Sequence, residues 1–122
     1  MIVDSNILID FLKGKPEASE FISQFDPILT SVVVVSELYA GIISKNELRE
    51  LMAFIEQSVK QIPISEEIAK EAGLLRMKYG KSHGLRLPDA FIAATAIVNN
   101  IPVASLDKKH FSVLTDDLVV PY

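Results

Sequence analysis

Five short stretches of the chain are mostly apolar without alternating: Met1–Val3, Ile28–Thr30, Lys60–Ile64, Pro102–Ser105 and Leu118–Val120. Such runs suit strands of a parallel sheet covered on both faces, since a sheet with one wet face would alternate apolar and polar residues. Pro63 has no N–H to give to a ladder, which places the third strand at an edge. Between these runs the period changes to that of a helix. Ser44-Lys45-Asn46-Glu47 reads as a capping box ahead of one apolar stripe, Leu48, Leu51, Met52, Ile55 and Val59. Ser65 caps a second helix with the stripe Ile68, Ala72, Leu75 and Tyr79. Pro88 fits the first turn of a third, running to about Asn99, and Pro16 starts a short one carrying Phe21, Ile22 and Phe25. The segment ILTSVVVVSELYAG is the hard one, because four consecutive valines favour an extended strand. We end the strand near Thr30 or Ser31 and let the valines open a helix capped by Ser31, with Val32, Val35 and Tyr39 on one face.

Strands alternating with helices predict an α/β fold, a three-layer α/β/α sandwich with a five-stranded parallel sheet and right-handed crossovers. The 122 residues suit one domain spanning 1–122. About half are hydrophobic and 23% are charged, the balance of a globular chain rather than a disordered one. The absence of cysteine excludes a disulfide framework and thiolate metal sites. A chain opening directly on a strand leaves no room for a secretion signal, and its longest apolar run is too short to span a bilayer, so a cytoplasmic protein is expected.

Four acidic residues occupy positions where an open α/β sheet binds ligands, at the carboxyl ends of its strands. Asp4 follows the first strand and Asp107 follows the fourth. Glu37 lies about two turns into the helix leaving the second strand, on a segment otherwise of Val, Leu, Tyr and Ile that has little reason to bury an unpaired Glu. Asp89 sits in the first turn of its helix and shares a face with Ala93 and Ala96, small residues that let the helix approach the sheet. Gathered together, these carboxylates would repel one another unless a cation joined them. Mg²⁺ or Mn²⁺ takes such oxygen ligands, polarises a phosphoryl oxygen and activates water for in-line attack.

The motifs MIVDSNILID, SELYAG, LPDAFIAATA and ASLDKKHF, in this order and almost to the C-terminus, resemble a PIN-domain protein, and more narrowly the VapC toxins of toxin–antitoxin pairs. Each motif alone is common; the ordered set is specific. The family's acidic quartet maps onto Asp4, Glu37, Asp89 and Asp107, and its small polar supporting positions onto Ser5, Asn6 and Ser105. The resemblance implies a Mg²⁺- or Mn²⁺-dependent endoribonuclease acting on RNA, often a homodimer. It also implies a VapB-like antitoxin that occludes the site, usually with a C-terminal tail carrying a basic residue.

Blander roles exist for each residue taken singly. Asp4 and Ser5 suit a helix start, Asp89 suits the positive end of a helix dipole, and Asp107 suits a turn paired with a neighbouring lysine or a contact made through water. Asp10, Asp26, Asp116 and Asp117 read as surface or turn residues. The net charge of −4 opposes nonspecific nucleic-acid binding, yet Arg76, Lys81 and Arg86 near Asp89, with Lys108 and Lys109 beside Asp107, form a locally basic rim that RNA would meet. Neither His83 nor His110 has a partner at metal-ligand spacing, and no histidine general base is expected. Competing functions are a non-catalytic PIN-like domain that only binds RNA or a partner, a haloacid-dehalogenase-like phosphatase and a receiver-like phosphorylation switch. The phosphatase would need a second Asp where Asn6 stands, and the switch an acidic pair after the first strand.

Overall fold

The computed structural model describes residues 1–122, and it begins with a strand of two residues, β1 (Ile2–Val3). Helix α1 (Ser5–Leu12) follows at once, and Pro16 opens α2 (Pro16–Ile22) from its first position. Strand β2 (Ile28–Ser31) then passes without a loop into α3 (Val32–Ala40). The valines are therefore helical: the Ser31 hydroxyl accepts from the Val33 amide at 3.1 Å, supplying the start signal that outweighs their β propensity. The buried face of α3 is Val34, Val35 and Leu38, whereas Val32 is half-buried and Tyr39 exposed, so the expected face is rotated toward the residues that meet the sheet.

The predicted capping box opens α4 (Lys45–Ser58), with the Ser44 hydroxyl accepting from the Glu47 amide at 3.1 Å. Only Leu51 and Ile55 of its stripe are buried; Leu48 and Met52 are exposed, and Val59 begins β3 (Val59–Ile62). Strand β3 stops before Pro63, which ends the ladder rather than lying within it. Ser65 caps α5 (Glu66–His83), which Gly84 terminates at φ 62°, a conformation that favours glycine. This turn delivers α6 (Leu87–Asn99), and then come β4 (Val103–Ala104), a single turn α7 (Lys108–Phe111) and β5 (Leu118–Val119).

Every strand pairing is parallel, as expected, but the strands do not form one five-stranded sheet. They form a three-stranded sheet in the order β1-β4-β5 and a two-stranded sheet of β2 and β3. Ile2 stands opposite Val103, Val103 opposite Leu118, and Ile28 through Ser31 opposite Val59 through Ile62. At the seam a side chain replaces the backbone ladder: the buried Thr30 hydroxyl donates to the Val3 carbonyl at 2.7 Å. Neighbouring residues of a strand point to opposite faces, and Ile2, Val3, Val103 and Ala104 are all fully buried, so this central part of the fold is covered on both sides. No helix is long and apolar enough to cross a membrane.

Thr30→Val keeps the shape but leaves the Val3 carbonyl without its donor. It is expected to cost about 1–3 kcal/mol of stability, read by urea denaturation, the range for an orphaned buried acceptor. A loss near zero would mean that the seam holds by packing alone.

Candidate active site

Strands β1 and β4 end side by side, with the Asp4 amide donating to the Ala104 carbonyl at 2.9 Å. The next residue of each chain segment is therefore held at the same edge. Asp4 is 5% exposed, and its two oxygens are separately engaged: Oδ1 accepts from the Ser5 amide at 2.7 Å, and Oδ2 from the Ser105 hydroxyl at 2.6 Å. Ser105, fully buried, also accepts from Asn6 Nδ2 at 3.2 Å and from the Asp107 amide at 3.0 Å. One proton and two lone pairs are thus all in use. Asn6 closes the ring by accepting the Leu106 amide at 3.3 Å on Oδ1. The three small polar residues singled out in the sequence all lie in this network.

The remaining carboxylates come from three other elements. Glu37 projects from the middle of α3, Asp89 from the first turn of α6, and Asp107 caps α7. The alanines expected to bring α6 inward are buried, Ala93 at 0% and Ala96 at 1% exposure. Ligand atoms of Asp89, Asp107 and His110 lie within 4.8 Å of one another. Asp4 and Glu37 stand outside this tight group, yet close enough to repel it.

That repulsion is visible in the acidities. Burial raises the pKa of Asp4, Glu37 and Asp89 in each case, and neighbouring carboxylates add to the rise. Asp89 and Asp107 act on Asp4, Asp4 and Asp89 on Glu37, and Asp107 on Asp89. Opposing the rise are the hydrogen bonds to Asp4, the Arg86 backbone beside Asp89, the Ser5 side chain beside Glu37, and the Arg86 guanidinium, which stands 3.9 Å from Glu37 and 4.0 Å from Asp89. Arg86 is 69% exposed, so its compensation is screened by water. Glu37 Oε1 is buried without any hydrogen-bond partner. A buried, unpartnered acceptor among repelling carboxylates suits a hard divalent cation with oxygen ligands.

Of the five basic residues expected at an RNA rim, Arg86 instead faces the carboxylates, while Lys108 and Lys109 are exposed beside Asp107, and Arg76 and Lys81 are exposed on α5. His110 corrects the reading that neither histidine has a partner at metal-ligand spacing: its ligand atom lies within 4.8 Å of those of Asp89 and Asp107, and its Nδ1 lies 2.7 Å from Asp107 Oδ2. The three-residue spacing from Asp107 was the available signal, obscured because DKKH also reads as a plain turn. Asp10 is not merely a surface residue either. It accepts from the Tyr122 hydroxyl at 2.8 Å and pairs with Lys15 at 3.8 Å, clasping the C-terminal end to α1. Beside Glu37 opens a cleft of 340 Å³ between α1, α3 and α4, lined by Ile9, Leu12, Leu38, Ile42 and Leu51 with Glu47 and Glu50.

This arrangement has close counterparts. The PIN domain family matches residues 1–115. Ribonuclease VapC19 of Mycobacterium tuberculosis is 36% identical over 126 residues, covering 99% of this chain and 98% of its own. Ribonuclease VapC10 of the same organism is 35% identical over 115 residues, covering 91% and 85%. A toxin–antitoxin complex from Klebsiella pneumoniae contains a chain that superposes with a TM-score of 0.80 at 31% identity, covering 99% of this chain and 97% of that one. Sequence and architecture agree over nearly the full length, and the chain belongs to the PIN domain family.

Proposed function

We propose that this chain is a metal-dependent endoribonuclease, the toxin of a toxin–antitoxin pair. The observation that carries the reading is the convergence of Asp4, Glu37, Asp89 and Asp107 on one edge of the fold, three of them with acidities raised by burial and mutual repulsion. Relatives named as ribonucleases, matched over 98% and 85% of their lengths, support the same chemistry. The four carboxylates would hold Mg²⁺ or Mn²⁺, which would polarise a phosphoryl oxygen and activate water for attack on the phosphodiester. Ser105, Asn6 and Ser5 fix Asp4, so that its carboxylate meets the site already oriented. Lys108 and Lys109 flank Asp107 and would meet the RNA backbone, with Arg76 and Lys81 farther out on α5. Arg86, which now faces Glu37 and Asp89, would join them if those carboxylates held a cation.

The antitoxin would lie in the apolar cleft and bring a basic residue to Glu37, whose Oε1 has no partner in the chain. Exposed Leu74, Met77 and Leu87 supply apolar surface for a homodimer. The phosphatase alternative lacks support, because Asn6 occupies the second acidic position and its amide is spent on Ser105 and Leu106.

Asp4→Asn is expected to lower RNA cleavage at least about 100-fold and to abolish the rise in melting temperature that Mn²⁺ gives the wild type, the scale seen when a charge-stabilising group is removed. Cleavage at the wild-type rate would defeat the assignment. A group whose acidity is weakened on folding adds stability below its unfolded pKa, and that stability is lost as the pH rises through its folded pKa. The metal-free protein should therefore become more stable as the pH falls from about 7 toward the ordinary values of 3.8 for Asp4 and Asp89 and 4.5 for Glu37. Glu37→Gln should stabilise the metal-free protein at neutral pH by about 0.5 kcal/mol, roughly 2 °C in melting temperature, because water screens part of the repulsion. Saturating Mg²⁺ at neutral pH should remove that advantage. Calorimetric melts across pH check both expectations. For the partner, Ile9→Asp places a charge in the cleft without touching a carboxylate. It should weaken antitoxin capture about 10-fold or more while leaving cleavage by the free chain unchanged, measured by pull-down titration and RNA digestion.

A further inference from the structure

We propose that His110 is a positioning residue of the metal centre: it holds both oxygens of Asp107 and so presents that carboxylate to the cation. The inference rests on the metal-site reading above and extends it to a residue outside the acidic quartet. Two bonds carry it. The His110 amide donates to Asp107 Oδ1 at 3.1 Å, and the His110 ring contacts Asp107 Oδ2 through Nδ1 at 2.7 Å. A carboxylate oxygen only accepts, so the proton of this second bond sits on Nδ1. Nδ1 is hydrogen-bonding to Asp107, not sharing a metal with Oδ2. Two ligands at right angles on an ion with bonds of about 2.0–2.1 Å stand roughly 2.9 Å apart or more, farther than this pair.

Helix capping does not account for the ring contact. The amide bond alone caps α7, and this four-residue turn is anchored by Phe111, which is fully buried. The ring's effect is on the carboxylate: with both oxygens fixed, Asp107 cannot rotate away toward solvent or toward Lys108 and Lys109. The same ring offers a ligand atom within 4.8 Å of an Asp89 carboxylate oxygen, so it borders both carboxylates. Ring donors that orient a metal-site carboxylate commonly affect metal affinity as strongly as a weak ligand does.

The test is calorimetric titration of Mn²⁺ into the metal-free full chain, for the wild type and for His110→Ala, His110→Gln, His110→Asn and Asp4→Asn, with melts confirming that each is folded. His110→Ala and His110→Gln should weaken Mn²⁺ binding about 10-fold or more, whereas His110→Asn, whose amide nitrogen takes the place of Nδ1, should restore it to within about 3-fold of wild type. Cleavage at saturating Mn²⁺ should recover in the weakened variants, with only the metal requirement raised. If His110→Ala does not fold, the Gln and Asn variants decide by the same criterion. Wild-type affinity in His110→Ala or in His110→Gln overturns the role of His110, and so does failure of Asn to rescue. If Asp4→Asn loses Mn²⁺ while the His110 variants keep it, only this inference falls. If the wild type itself binds no Mn²⁺, the metal-site reading falls and this inference with it.

Discussion

The hydrogen bond from Ser105 to Asp4, 2.6 Å long, joins residues 101 positions apart, and the site is organised around it. It can form only because β1 and β4 are parallel neighbours that end at the same level. A carboxylate left bare at 5% exposure would be costly to charge, and burial alone pushes it toward the neutral form. Ser105 opposes that by having nowhere else to send its proton: its lone pairs already accept from Asn6 and from the Asp107 amide. One hydroxyl therefore sets the orientation of Asp4, the start of α1 through Asn6, and the path of the chain into Asp107.

The remaining carboxylates make the opposite demand. Hydrogen bonds steady Asp4, but Glu37 has a buried oxygen with no partner, and Asp89 depends on an exposed guanidinium about 4 Å away. This part of the site costs stability in the metal-free chain, and the cost is carried by regions that make no chemical contribution. The apolar strands beneath are fully buried, the Thr30 hydroxyl closes the seam between two small sheets, and Tyr122 clasps the C-terminal end to Asp10 on α1. A buried polar atom left unpaired in an otherwise satisfied structure marks where binding rather than folding shaped the sequence.

The legible parts of the sequence were those in which local chemistry and tertiary packing agree. The five apolar runs are all strands, Ser44, Ser65 and Ser31 all cap helices, and the four carboxylates come near enough to act on one another. The division into two sheets was not legible, because a side-chain hydroxyl substituting for a ladder leaves no periodic trace. The faces of α3 and α4 were partly misread for a related reason. Neither helix is buried evenly around its apolar residues, so Tyr39, Leu48 and Met52 reach solvent although they sit at helical spacing. His110 and Arg86 were hidden by ambiguity of a different kind. A histidine three residues after an aspartate, or an arginine three before one, is ordinary surface sequence until the fold shows which carboxylate it meets. Tyr122 and Asp10 are 112 residues apart, beyond any local pattern.

The distribution of charge then resolves the objection raised by a net charge of −4. Affinity for a polyanion depends on the field along its path, not on the sum over the chain. Glu37, Glu47 and Glu50 outweigh Lys13 along the cleft, a balance that would favour a basic partner segment over RNA. Lys108 and Lys109 are exposed next to Asp107. The quartet is by itself repulsive to phosphate. On the reading proposed here, the cation therefore does more than chemistry: it reverses the local sign of the field. The same carboxylates that would keep RNA away from a metal-free chain would admit it to a loaded one, and a basic residue of the antitoxin would compete for that same charge.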